Sequence, residues 1–171
     1  LQNFPVKAFA KAITSRLKPL VPSLVHGNQT GFITRRNIAK NYVYAADLIS
    51  SYHSRKRSTM VFKLDFRKAF DSVASPTLDR ILVVHGFSQT FCSWIQNILH
   101  TGKTAILLNG IPGHWIQCKK GLRQGDPASP YPFLIVADLL QQLILQNSEL
   151  ALLHPPIFTH LPPTILQYAD D

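Results

Sequence analysis

The chain has 171 residues, 46% of them hydrophobic and 16% charged, with 18 Lys and Arg against 9 Asp and Glu for a formal charge of +9. A chain this long can bury roughly 70% of the surface it exposes when unfolded, which makes disorder a poor reading. No apolar run reaches the roughly 18 residues of a membrane helix, since Phe133 to Leu145 is broken by Asp138 and two glutamines. The positive charge favours polyanionic partners, because each neutralised phosphate releases counterions.

Two cysteines, Cys92 and Cys118, with no Cys-x-x-Cys or His-x-x-x-His pair, make neither a disulfide scaffold nor a zinc site. Leu1 to Lys7 lack a starting Met and the order of a signal peptide, so an intracellular, internal piece of a longer protein is expected. Among the nine acids, eight are aspartate and only Glu149 is glutamate, a skew that directs attention to short carboxylates.

In chain order, Val6, Phe9, Ile13, Leu17 and Leu20 recur at helical spacing and predict an amphipathic helix from Pro5 to Leu20, with Lys7, Lys11 and Lys18 on another face. His26-Gly27-Asn28 reads as a turn and Thr30 to Arg36 as a loop or short extended piece. Ile38, Tyr42, Ala45, Ile49 and Tyr52 mark a second helix, closed by Arg55-Lys56-Arg57, where positive charge suits a helix C-terminus. Met60 to Arg67 alternates as a strand, with Asp65 on its more polar face. Ser75 is expected to cap a helix that Gly86 stops, and Ser88 to begin the next, with Phe91, Ile95, Ile98 and Leu99 on its apolar face.

Thr104 to Leu108 and Trp115 to Cys118 read as a hairpin around Asn109-Gly110 with extra residues in its loop. A basic, glycine-flanked loop from Lys119 to Pro127 leads through Ser129-Pro130 into a third long helix, Tyr131 to Gln146. Residues 147–164, with two Pro-Pro pairs, read as a surface loop, and Ile165 to Tyr168 as a strand running into Ala169-Asp170-Asp171. Trp94 and Trp115 are expected in the core. With no internal repeat and no composition break, the pattern predicts one α+β domain.

If the strands bearing Asp65 and Asp170-Asp171 are neighbours, three carboxylates converge. They would repel one another unless a divalent cation neutralised them, and oxygen-only ligands select Mg²⁺ first. Separate, solvated strand-end aspartates remain an equal alternative on periodicity alone.

Four segments carry a resemblance. Asn28-Gln29-Thr30-Gly31-Phe32, Lys63-Leu64-Asp65-Phe66-Arg67-Lys68-Ala69-Phe70-Asp71, Gly121-Leu122-Arg123-Gln124-Gly125-Asp126-Pro127 with Ser129-Pro130, and Tyr168-Ala169-Asp170-Asp171 resemble, in order, the motifs of reverse transcriptases. They are most similar to those of non-LTR, LINE-type retrotransposons, particularly the plant versions. The resemblance implies a right-hand polymerase fold: partial fingers over about residues 1–58, mostly palm over about 59–171, and an antiparallel sheet flanked by helices. It implies RNA-directed DNA polymerisation, in which a primer 3′-hydroxyl attacks a deoxynucleoside triphosphate on an RNA template.

The resemblance also implies roles for single residues. Asp65 and Asp170 would bind two Mg²⁺ ions, with Mn²⁺ as a substitute, and Asp171 would support them. Phe70 would be the steric gate against a ribose 2′-hydroxyl, with Phe66 and Arg67 on the nucleotide side. Gln124 and Gly125 would face the template base pair, and Arg123 and Arg36 would contact nucleic acid. Asp71 and Asp126 would be structural, Asp126 as a turn residue before Pro127.

Three positions depart from the family pattern: Arg35 stands where the family has Gly, Ala128 where it has Leu, and Pro132 where it has Leu. Pro132 falls in the first helical turn, where it need not break the helix, but it is expected to lower local stability. The thumb, the second strand of the Asp170-Asp171 hairpin and any endonuclease are expected outside these residues, leaving the fragment inert by itself. The alternative is a noncatalytic nucleic-acid-binding relic of the same domain. A Mg²⁺ nuclease is disfavoured, because the glycine loop and Phe70 have no role in hydrolysis.

Overall fold

A computed structural model describes residues 4–100, 102–118, 120–123, 125–149 and 165–170. Helix α1 (Phe4–Leu17) turns Ala10, Ile13, Thr14 and Leu17 inward and leaves Lys7 and Lys11 exposed. It stops short of Leu20 because Lys18 precedes Pro19, and a residue before proline is pushed out of the helical region. A single turn, α2 (Val21–Leu24), follows with proline in its first turn. Asn37 then caps α3 (Ile38–Ser54), its side chain accepting the Ala39 N–H at 2.9 Å. None of the residues of α3 is buried.

After the short α4 (Ala69–Ser72) come α5 (Ser75–Val84) and α6 (Gln89–His100), which pack on each other. Ser88 caps α6 as expected, accepting the Phe91 N–H at 3.3 Å. Ser75 does not cap α5. Ala74 holds the cap position, while the Ser75 hydroxyl donates to Gln96 Oε1 at 2.6 Å and Gln96 Nε2 donates to the Ser75 carbonyl at 3.1 Å. The side chain thus ties α5 to α6.

The hairpin is made of two short antiparallel ladders. β1 (Lys103–Thr104) pairs with β4 (Ile116–Gln117), and β2 (Leu107–Leu108) with β3 (Ile111–Pro112). Asn109 and Gly110, at φ 51° and 82°, make the left-handed two-residue turn that matches strand twist. Ile111 and Pro112, expected in the loop, therefore belong to a strand. The last helix, α7 (Pro130–Glu149), lies against α2 and α5. Pro132 sits buried in its first turn without interrupting it, because amides there have no acceptor within the helix. Residues 147–149 extend this helix rather than opening the expected loop, and 150–164 lie outside the described residues.

Leu17, Val21, Leu78, Leu82, Cys92, Leu134 and Ile135 form the centre of one core to which α1, α2, α5, α6 and α7 all contribute. The architecture is the predicted α+β class, helices with small antiparallel sheets. No helix among the described residues is long and apolar enough to cross a membrane.

Two further expectations are corrected. Met60 to Arg67 is not a strand: the segment has no ladder partner among the described residues, and Met60, Val61, Phe62, Leu64 and Phe66 are 44–77% exposed. Alternation supplies a strand's side-chain pattern, but its hydrogen bonds must come from a neighbouring chain segment. Neither tryptophan is in the core. Trp115 stands 69% exposed on the hairpin, and Trp94, at 37% exposed, rests edge-on to Phe9 with ring centroids 6.0 Å apart.

Candidate functional site

The structure joins the four motif segments in two pairs. In the first, Asn28–Gly31 runs beside Ile165–Ala169. Gln29 and Gln167 form a parallel bridge, with the Gln167 N–H donating to the Asn28 carbonyl at 3.3 Å and the Thr30 N–H to the Gln167 carbonyl at 2.9 Å. Asn28 Nδ2 reaches the Ile165 carbonyl at 3.1 Å. From α3, Asn41 Nδ2 lies 3.1–3.3 Å from the Asn28 carbonyl, Thr30 Oγ1 and the Gln167 carbonyl. The expected strand at Ile165 to Tyr168 is therefore a single bridge. It carries Asp170, half-buried, just beyond Ala169.

In the second pair, Phe70–Val73 meets Gly121–Leu122. The Gly121 N–H donates to the Val73 carbonyl at 2.9 Å and the Leu122 N–H to the Phe70 carbonyl at 2.8 Å. Leu122, Val73 and Ala169 lie in the same hydrophobic core, with Phe70 packed against it. The Phe70 ring stacks on Phe133 of α7 at 4.2 Å. One apolar cluster thus connects a residue from each pair of motifs.

The expected site residues divide accordingly. Phe70, Asp170 and Arg123 are half-buried, and the Arg123 guanidinium lies over Gly102. Gly125, at φ 79°, is exposed beside the buried Asp126, whose carboxylate accepts the Ala128 N–H at 2.9 Å in the expected turn. Asp65, Phe66 and Arg67 are exposed on the open segment before α4. Gln124 and Asp171 lie outside the described residues. No three His, Cys, Asp or Glu side chains among the described residues come close enough to hold a metal. Carboxylate donors match a hard cation in chemistry, and the expected three-acid cluster includes Asp171, which lies outside the described residues.

Arg36 faces inward. Its Nη1 donates to the His26 and Gln29 carbonyls at 2.7 and 2.8 Å and its Nη2 to the Pro22 carbonyl at 2.9 Å. Burial lowers its pKa and the charge of Asp138 opposes that shift. Asp138 on α7 is buried and accepts the His26 N–H at 2.7 Å and Gln142 Nε2 at 3.0 Å. Arg36 and Asp138 therefore brace the 26–31 turn from two sides. Neither this role of Arg36 nor the contribution of Gln29, Asn41 and Asp138 was legible in the sequence. The only signal was Asp138, a lone charge inside the apolar run from Phe133 to Leu145, which periodicity reads as an interruption.

Arg35 has a φ of 69°, the left-handed region that a side chain adopts at a cost of roughly 1–2 kcal/mol and glycine adopts freely. This explains the glycine expected there. Arg35→Gly should stabilise the chain by about 0.5–1 kcal/mol once the extra unfolded-state entropy of glycine is subtracted. A urea midpoint at or below that of the parent would contradict it.

Comparison with known proteins agrees with the family resemblance. A family model described as "Reverse transcriptase (RNA-dependent DNA polymerase)" matches residues 1–171. The chain belongs to the reverse transcriptase family. It is 30% identical over 112 residues to the retrovirus-related Pol polyprotein of the type-2 retrotransposable element R2DM of Drosophila melanogaster, a match covering 66% of this chain and 11% of that protein. It is 25% identical over 165 residues to the transposon TX1 uncharacterized 149 kDa protein of Xenopus laevis, covering 96% of this chain and 12% of that protein. An uncharacterized mitochondrial protein of Arabidopsis thaliana is 36% identical over 67 residues, 38% of this chain and 55% of its own length. The chain spans about a tenth of the length of the two transposon relatives. It is a reverse transcriptase domain of the non-LTR, R2- and TX1-like kind.

Proposed function

We propose that this reverse transcriptase domain belongs to an RNA-directed DNA polymerase of a LINE-type element, acting inside the cell on an RNA template, a DNA primer and deoxynucleoside triphosphates. The observation that carries the reading is the pairing of motif segments far apart in sequence, 28–31 with 165–169 and 70–73 with 121–122. A fold keeps such motifs together when they serve one site. In this reading residues 1–58 are a fingers portion and 59–171 mostly palm, and the match to the Arabidopsis protein supports a plant affinity.

Asp65 and Asp170 would hold two Mg²⁺ ions, or Mn²⁺ in their place, with Asp171 beside them. When bound, such ions lower the pKa of the primer hydroxyl and neutralise the triphosphate. Phe70, held flat on Phe133, is fixed well enough to exclude a 2′-hydroxyl, with Phe66 and Arg67 on the same nucleotide side. Gln124, Gly125 and Arg123 would face the template–primer duplex. Arg36, with its guanidinium engaged on three carbonyls, acts from behind by bracing the turn. As an isolated chain the domain is proposed to bind duplex without extending it.

A noncatalytic nucleic-acid-binding role is the second reading, favoured by the exposed segment that bears Asp65 and has no ladder partner among the described residues. One experiment separates the two. A labelled RNA–DNA template–primer should bind the chain with an affinity that falls at least about tenfold between 50 and 200 mM salt. Mn²⁺ titrated by electron paramagnetic resonance should bind the parent and not the Asp65→Ala/Asp170→Ala variant. Equal Mn²⁺ binding by both would overturn the catalytic reading. Salt-independent duplex binding would overturn both.

A further inference from the structure

We infer that Gln29 is a positioning residue for Asp170, holding the Tyr168-Ala169-Asp170 turn in its left-handed form through both hydrogen-bonding ends of its carboxamide. This rests on the reading of Asp170 as a site carboxylate and adds the group that fixes where it stands.

Ala169 has a φ of 53° and is buried. An L-residue with a side chain disfavours this backbone, and such strain persists only where surroundings enforce it. The enforcing group is Gln29, which is fully buried. Its Oε1 accepts the Ala169 N–H at 2.8 Å and the Gly31 N–H at 2.9 Å, and its Nε2 donates to the Ala169 carbonyl at 3.3 Å. Both acceptor positions of the oxygen are filled, and one amide grips the turn residue on its N–H and its C=O. Only a carboxamide does this: a carboxylate of the same length lacks the donor, and methionine lacks both functions. The grip acts one residue before Asp170, so the direction of that carboxylate follows the Ala169 angles. Thr30 and Asn41 hold the neighbouring Gln167 carbonyl and leave Ala169 to Gln29.

The test uses the isotope-labelled 171-residue chain. The amide-to-α-proton coupling of Ala169 reports its φ, and Mn²⁺-induced broadening of the Asp170 amide reports metal affinity at that carboxylate. In Gln29→Met the coupling should move toward the right-handed or extended value, with Mn²⁺ affinity on the order of tenfold weaker. In Gln29→Met/Ala169→Gly the affinity should return toward that of the parent, because glycine takes the left-handed angle without help. Global stability should not return, since the lost hydrogen bonds stay lost. A merely structural role would lower stability in both variants without this selective rescue.

Should Gln29→Met fail to fold, Gln29→Glu, which keeps the acceptor and loses the donor, is read by the same coupling. An unchanged Ala169 coupling in the Gln29 variant, or no rescue by glycine, overturns the inference. If the parent binds no Mn²⁺ through Asp170, the polymerase reading fails instead, and the Ala169 coupling alone still decides whether Gln29 sets the turn.

Discussion

Alanine in place of Gly31 should destabilise the domain by about 3 kcal/mol, at the upper end of what overpacking costs. A Cβ there would lie 2.5 Å from the Ala169 backbone nitrogen, 3.0 Å from its Cβ and 3.1 Å from its Cα. Two of these three atoms are backbone, so no rotamer change relieves the clash. Room can be made only by separating residues 28–31 from 167–169. That would stretch the Thr30-to-Gln167 hydrogen bond and withdraw Gln29 from Ala169. Gly27 is the control, because a Cβ there meets no atom within 4 Å, and Gly27→Ala should change stability by no more than about 0.5 kcal/mol. Urea unfolding of both variants decides the matter. Equal midpoints would mean that the close approach at Ala169 carries no energy.

The helices were legible because their signal is local. Val6, Phe9 and Ile13, or Phe91, Ile95 and Ile98, repeat at the period of the element that they form, whatever else the chain does. Asn109-Gly110 was legible for a similar reason, since its turn is set by two residues. Met60 to Arg67 carries an equally clean period of two and forms no strand among the described residues, because a ladder is a property of two segments and the sequence shows one.

The site divides along the same line. Motif order located the segments that meet, including the Asp126 turn, but not what holds them together. Gln29 and Ala169 are 140 positions apart, and no spacing rule links a buried amide to a strained alanine. Arg36 shows the converse. Its position in a motif suggests an outward cation for phosphate, whereas two carbonyls of the 26–31 turn and the Pro22 carbonyl of α2 absorb the guanidinium. A basic residue reads as a surface charge until its acceptors are known.

The second close approach should be costlier still, because Gly121 faces two constraints at once. Its φ of 89° is left-handed, and a Cβ would lie 2.9 Å from both Cα and O of Asp71. The conformational part is roughly 1–2 kcal/mol and the steric part about 1–3 kcal/mol, so Gly121→Ala should lose about 3–4 kcal/mol. Gly125 isolates the first part: its φ is 79°, and a Cβ there meets nothing within 4 Å, so Gly125→Ala should lose only about 1 kcal/mol. The difference between the variants in chemical denaturation measures the contact between the 70–73 and 121–122 segments. Amide exchange locates it, because the Leu122 N–H held by the Phe70 carbonyl should lose protection in Gly121→Ala and keep it in Gly125→Ala. Equal losses would assign the whole effect to backbone angle and leave the pairing of these two motifs without an energetic role. A larger loss at Gly121 makes the Asp71 backbone the seat of the loop that carries Arg123 and Gly125.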